Sequence, residues 1–281
     1  GSGTRSFNNA GTFTKSAGTG TTYISVALNN TGTVNANSGI LSLQTGGTSS
    51  GTFSAASGAV LEFGGGTHNL GDGVTFTGAG TVRIAGGTVN STGTGAGVVV
   101  NAGATFSLQG GTLGGVGSLT LNGTFNWTGG TITGTGGLTS NGALALSGST
   151  KYLNGRTLVN AGTINWTGGS VSLLNAGVIE NGPGASFNIQ TDASIDDGGG
   201  TGSRSVNNVG TLTKSAGTGT TYISIALNNT GTVNANSGTL SLQSGGIDSG
   251  AFSAASGAVL EFGSGTHSLG DGVTFTGAGT V

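Results

Sequence analysis

Three carboxylates gather in "TDASIDDGGG", residues 191–200: Asp192, Asp196 and Asp197. They are the densest negative charge in the chain. A calcium ion needs six to eight oxygens from carboxylates, carbonyls and water. The spacing fits neither an EF-hand loop nor the Gly-Gly-x-Gly-x-Asp nonapeptide, so the first reading is a solvated turn, with calcium as the alternative. Glu62 and His68 are the next polar pair, because they recur as Glu261 and His267. Glu62 alternates outward within "AVLEF" and His68 falls in a turn, so no convergent acid and base are expected. The remaining acids, Asp72, Glu180, Asp248 and Asp271, are scattered. No Ser-His-Asp order, zinc motif or Walker loop is present, and abundant glycine makes any lone Gly pattern uninformative. The chain therefore reads as no enzyme, with no catalytic residue, no metal site beyond that acidic turn, and no cofactor.

Two further residue types could bind rather than react. Trp127 and Trp166 occupy matching "NWTGG" segments and could stack on sugar rings. Alternation puts Trp127 on the side of Phe125 and Trp166 on the side of Ile164, which makes both core fillers. The pairs Thr12/Thr14, Thr31/Thr33, Thr75/Thr77 and Thr131/Thr133 would suit an ice-binding face only if they stacked in consecutive coils. The interval from Thr33 to Thr75 breaks that series.

These residues must be held by an unusual chain. Of 281 residues 63 are glycine, one is proline, and seven basic and nine acidic residues are the whole charge complement. Globular chains average about 25% charged residues and about 7% glycine. Disorder usually combines low hydrophobicity with high net charge, but here 33% of residues are hydrophobic and the net charge is −2. Collagen would need glycine at every third position and much proline. Cysteine and methionine are absent, so disulfides and thiolate metal sites play no part, and the missing initiator fits a mature segment or an excised piece. The sparse basic residues offer no phosphate-binding surface, so nucleic acid is not an expected partner. No apolar run is long enough to insert into a membrane as a helix.

What remains is a β-rich chain with tight turns. "LSLQ" (41–44), "AVLEF" (59–63), "VTFT" (74–77), "TFSL" (105–108), "SLTL" (118–121), "ALAL" (143–146) and "SFNIQ" (186–190) place apolar residues at every second position, the mark of a strand with one buried face. A turn ending in glycine recurs before the apolar anchors Phe13, Val34 and Phe53, which are 21 and 19 residues apart. The 29 residues from Phe53 to Val82 imply an irregular coil there. Steps of about 20 residues with several short strands predict an all-β parallel solenoid running through residues 1–281, of roughly 14 coils and about 65 Å. A right-handed β-helix is expected, since its coils tolerate variable turns. The "NN" pairs at 8–9, 29–30, 207–208 and 228–229 are expected to form asparagine ladders between coils.

A longer period overlies this one. Residues 4–82 match 203–281 with 12 differences in 79 pairs. Residues 4–202 are thus one repeat of 199 residues, and 203–281 begin the next. Phe7/Val206, Ala10/Val209, Phe13/Leu212 and Val26/Ile225 exchange apolar residues, as core positions do. Thr4/Ser203, Thr45/Ser244, Ser49/Asp248 and Asn69/Ser268 exchange polar ones, as expected outside. Ile40/Thr239 and Thr48/Ile247 cross classes and are assigned to turns or the outer face.

The runs "GAGTVRIAGGTV" (78–89), "NAGATFSLQGGTL" (101–113) and "GVGSLTLNGTF" (115–125) resemble β-helical repeats of large bacterial surface proteins. These are the autotransporter passengers and the filamentous haemagglutinin-like adhesins, with repeats of the type Gly-x-Gly-Thr-Leu-x-Leu. The resemblance implies a secreted or cell-surface stalk. The expected function is a structural segment of a long extracellular fibre or adhesin stalk. Its partners would be adjacent repeats of the same chain or end-to-end copies of itself. The alternatives are a module that binds surface glycans and an ice-binding solenoid.

Overall fold

The computed structural model describes residues 5–281, in which 39 short strands and no helix occur. The chain divides into two compact units, Gly1–Leu138 and Thr139–Val281. Within each unit a strand pairs in parallel with the third strand after it. Ser6–Asn9 lies beside Ala27–Asn30, Thr12–Lys15 beside Thr33–Ala36, and Thr21–Ile24 beside Ile40–Leu43. The second unit repeats the rule with Lys151–Asn154, Thr157–Asn160 and Thr163–Trp166 beside Val171–Leu174, Val178–Asn181 and Ser186–Ile189. Three strands therefore make one turn of a parallel β-solenoid, with about 13 turns in all and roughly 21 residues per turn. The seven alternating segments all contain strands.

Register follows side-chain parity. Phe13, Val34, Phe53 and Phe76 stand in one column. The successor of Phe53 is therefore Phe76, 23 residues on, while Val82 stacks on Leu61 in another sheet. The expected irregular coil does not exist, because Phe53 and Val82 belong to different columns. Aromatic rings fill the interior, with Phe53, Phe76, Phe106 and Phe125 at successive centroid separations of 5.7, 5.4 and 5.8 Å.

The corners explain the glycine and asparagine content. In "NNTGT" the strand ends on Asn30, whose side chain points inward and is fully buried. Its Nδ2 donates to the Thr52 carbonyl while its Oδ1 accepts from Asn9 at 2.8 Å. Asn160, Asn181, Asn208 and Asn229 continue this device as a buried ladder at 2.7, 2.7 and 2.8 Å. The first asparagine of each "NN" pair forms an outer ladder, Asn8 to Asn29 and Asn207 to Asn228, both at 2.9 Å. The corner glycine that follows has no room for a side chain: a Cβ on Gly51 would lie 2.1 Å from the Gly32 carbonyl oxygen.

A second corner inserts a four-residue turn closed by a bond from the fourth N–H to the first carbonyl, at Ala56–Ala59, Asn101–Ala104, Gly182–Ala185 and Ala255–Ala258. Its third residue is a glycine with φ between 73° and 87°, the geometry of a type II turn. The only proline, Pro183, occupies the second position, where φ near −60° is required.

Among the exchanges between copies, Val206 and Leu212 are buried as expected, and Ile247 is outward at 71% exposure. Two assignments are corrected. Val209 is 49% exposed, because its corner turns it away from the core. Ser49 and Asp248 point inward, because they take the ladder position that asparagine fills elsewhere.

Candidate functional site

The acidic turn does not converge on one point. Asp192 Oδ1 accepts from Lys214 Nζ at 2.7 Å, and its Oδ2 accepts from the Gly219 N–H at 3.1 Å. The Lys214 hydrogen bond holds Asp192 below the usual carboxylate range. Asp197 is gripped by Arg204, with Nε 2.7 Å from one oxygen and a terminal nitrogen 3.0 Å from the other. The Gly199 N–H and Arg204 lower its pKa. Asp196 is turned elsewhere: burial raises its pKa, and its hydrogen-bond partner is Ser170. The three carboxylates thus have three different partners. No group of three His, Cys, Asp or Glu side chains able to hold a metal occurs among the described residues.

Glu62 points outward, as alternation requires, and accepts from Ser42 Oγ at 2.6 Å and Arg83 Nε at 2.9 Å in neighbouring turns. Its counterpart Glu261 accepts from Ser241 Oγ at 2.5 Å. His68 is not in a turn. It lies within the strand Thr67–Leu70, is buried, and packs its ring 4.7 Å from Phe63. Burial lowers its pKa, and its Nε2 bonds the Gly65 carbonyl at 3.0 Å. Glu62 and His68 belong to opposite faces of the wall and do not form a pair.

Both tryptophans are fully buried, and Trp166 Nε1 donates to the Gly169 carbonyl at 2.8 Å. Neither is a platform for a sugar. The threonines stack in single file at the first strand position, Thr12, Thr33, Thr52 and Thr75, with Thr52 and Thr75 hydroxyls 3.0 Å apart. The parallel file reads Thr14, Asn35, Ser54 and Thr77, so a two-column threonine array is interrupted. Thr31 stands in a corner, outside either file.

Buried cations are what sequence reasoning missed. Lys151, Lys214 and Arg156 are all essentially inaccessible. Lys151 Nζ donates to the carbonyls of Ser147, Ser149 and Gly168 at 2.8, 2.9 and 3.0 Å, and burial pushes its pKa down to about 8. Burial also brings Arg156 down to about 10. Parity carried the signal. Each cation lies two residues from an inward leucine, Leu153, Leu212 or Leu158, and the same alternation that placed the tryptophans places these groups inside. Asp248 is the second omission. Burial raises its pKa; His267 Nδ1 lies 3.4 Å from its Oδ2, and the Asn229 N–H bonds Oδ1 at 3.1 Å. Its departure from Ser49 in an otherwise close copy was the available clue.

An open concavity is present as well, a shallow groove of about 250 Å³ lined by Asn29, Thr48, Ser49, Ser50 and Asn69 among others. Asn29 Oδ1 already accepts from the Thr48 N–H and hydroxyl. In the second copy Thr48, Ser49 and Asn69 become Ile247, Asp248 and Ser268. The chain matches no family model, no curated protein and no solved structure.

Proposed function

We propose that this chain is a structural segment of a long extracellular fibre or adhesin stalk, in which added turns supply length, and that it is not a catalyst. The observation that supports this reading most is the seam between long repeats. Val178–Asn181 pairs with Ser205–Asn208, and Ser186–Ile189 with Thr211–Lys214, in parallel over all four residues, while the third wall continues through the single pair Ile195 and Ile223. A new repeat therefore begins as one more turn rather than as a new domain with its own core. The polar groups give little for chemistry to use: Glu62, Asp192 and Asp197 are tied to cations, the histidines lie against phenylalanine rings, and the tryptophans are core. No helix among the described residues is long and apolar enough to cross a membrane.

Immuno-electron microscopy with antibody raised against residues 78–125 tests the placement. The expected label decorates thin filaments outside the cell, whereas label confined to the cell interior contradicts it. A second reading, glycan binding, is favoured by the amide- and hydroxyl-lined groove. It requires that the chain bind a glycan array and that Asn69→Ala abolish the signal.

A further inference from the structure

The two copies of the repeat start are nearly identical in sequence but differ in what covers them. In the second copy Val206, Leu212, Lys214, Thr221 and Ile223 are all fully buried beneath the turn before. Their counterparts Phe7, Phe13, Lys15 and Ile24 are half-buried, and Thr22 is exposed. Lys214 Nζ reaches Asp192, the Thr191 carbonyl, the Ala216 carbonyl and the Thr221 hydroxyl; that hydroxyl also donates to the Thr191 carbonyl at 2.6 Å. Lys15 Nζ, by contrast, bonds among the described residues only the Ala17 and Gly18 carbonyls beside it, at 2.9 and 3.0 Å. Every acceptor and donor of the buried arrangement is present at Lys15, Gly20 and Thr22 except the segment that closes it.

We infer that the edge formed by Ser6–Asn9, Thr12–Lys15 and Thr21–Ile24 is a docking surface for one occupant, the 178–197 segment of another copy of this repeat. The register is that of the internal seam. Val178 of the incoming copy lies beside Ser6 and Ser186 beside Thr12, by correspondence with Ser205 and Thr211. Its Asn181 donates to Asn9, as Asn181 does to Asn208. Its Asp192 bridges Lys15 Nζ and the Gly20 N–H, as it bridges Lys214 and Gly219 here. Its Asp197 is positioned for Arg5, the counterpart of Arg204. The acidic turn is thereby assigned a role: it is the polar fastening between successive repeats. This inference deepens the fibre reading and rests on it for the source of the second copy.

The chain has three lysines, and Lys151 and Lys214 have no accessible surface, so Lys15 is the one open to acylation. The test compares the full chain with the same chain lengthened by a second copy of residues 178–202 joined ahead of Thr4. Acetylation at each lysine is followed by peptide mass spectrometry. Lys15 is expected to react readily in the chain as it stands and at least tenfold more slowly once lengthened, approaching Lys214. Asp192→Asn in the added segment alone is expected to restore most of that reactivity. Hydrogen exchange over residues 6–15 reports docking independently, and should slow in both lengthened forms. Unchanged Lys15 reactivity together with unchanged exchange overturns the joint. That result leaves filaments seen in cells unexplained by this register but intact, whereas a protected Lys15 without filaments keeps the joint and removes the fibre function.

Discussion

Asn181 carries more hydrogen bonds than any apolar replacement could compensate. Its amide nitrogen donates to Asn208 and to the Thr211 carbonyl, and its oxygen accepts from Asn160. A buried polar group left unpaired costs about 1–3 kcal/mol. Asn181→Leu strands three of them, and a loss of roughly 3 kcal/mol or more is expected. Urea titration followed by Trp166 fluorescence measures it, and Asn29→Ala on the outer ladder serves as the mild comparison, below about 1 kcal/mol because water replaces its partner. Lys151 gives a pH signature. Burial lowers its folded pKa to about 8, whereas an unfolded lysine titrates near 10.4. Between those values the unfolded chain binds the extra proton, so stability rises with pH across that window. Melting temperatures from pH 7 to 10 should climb in the parent chain and climb less in Lys151→Met.

At the scale of strands and corners, glycine has two separable duties. A Cβ at Gly51 meets the Gly32 carbonyl oxygen at 2.1 Å, so Gly51→Ala must force two turns apart. Gly58 meets nothing within 4 Å but has φ +78°, so Gly58→Ala carries only the left-handed penalty of roughly 1 kcal/mol. Hydrogen exchange should accelerate strongly across Thr33–Ala36 and Thr52–Ala55 in the first variant and barely in the second. The strands were legible in the sequence because period-two alternation survives at four residues, and the tryptophans and asparagine ladders were legible because parity and repetition place them. The column from Phe53 was misread since a turn holds three strands with similar anchors, and spacing alone does not say which anchor belongs to which sheet. The inward position of Asp248 was hidden since a polar-for-polar exchange at the end of a strand reads as an outer position. The Asp192–Lys214 contact was illegible for another reason. It joins residues 22 apart through one turn of the solenoid, a separation visible only once the register is known.

At the scale of the whole molecule, the proposed function turns sequence length into physical length. A turn uses roughly 21 residues and advances by one strand spacing, about 4.8 Å. A repeat of 199 residues is then expected to add nine or ten turns, about 45 Å. The low charge and the single proline fit this use, since stacked strands and ladders tolerate neither like charges in register nor missing N–H donors. The most direct measurement is the contour length, by electron microscopy, of chains carrying one, two and three tandem copies of residues 4–202. The expected result is a constant width and an increment of about 45 Å per added copy. An increment well below that, or a string of separate beads one per copy, would contradict a continuous stack and with it the proposed function.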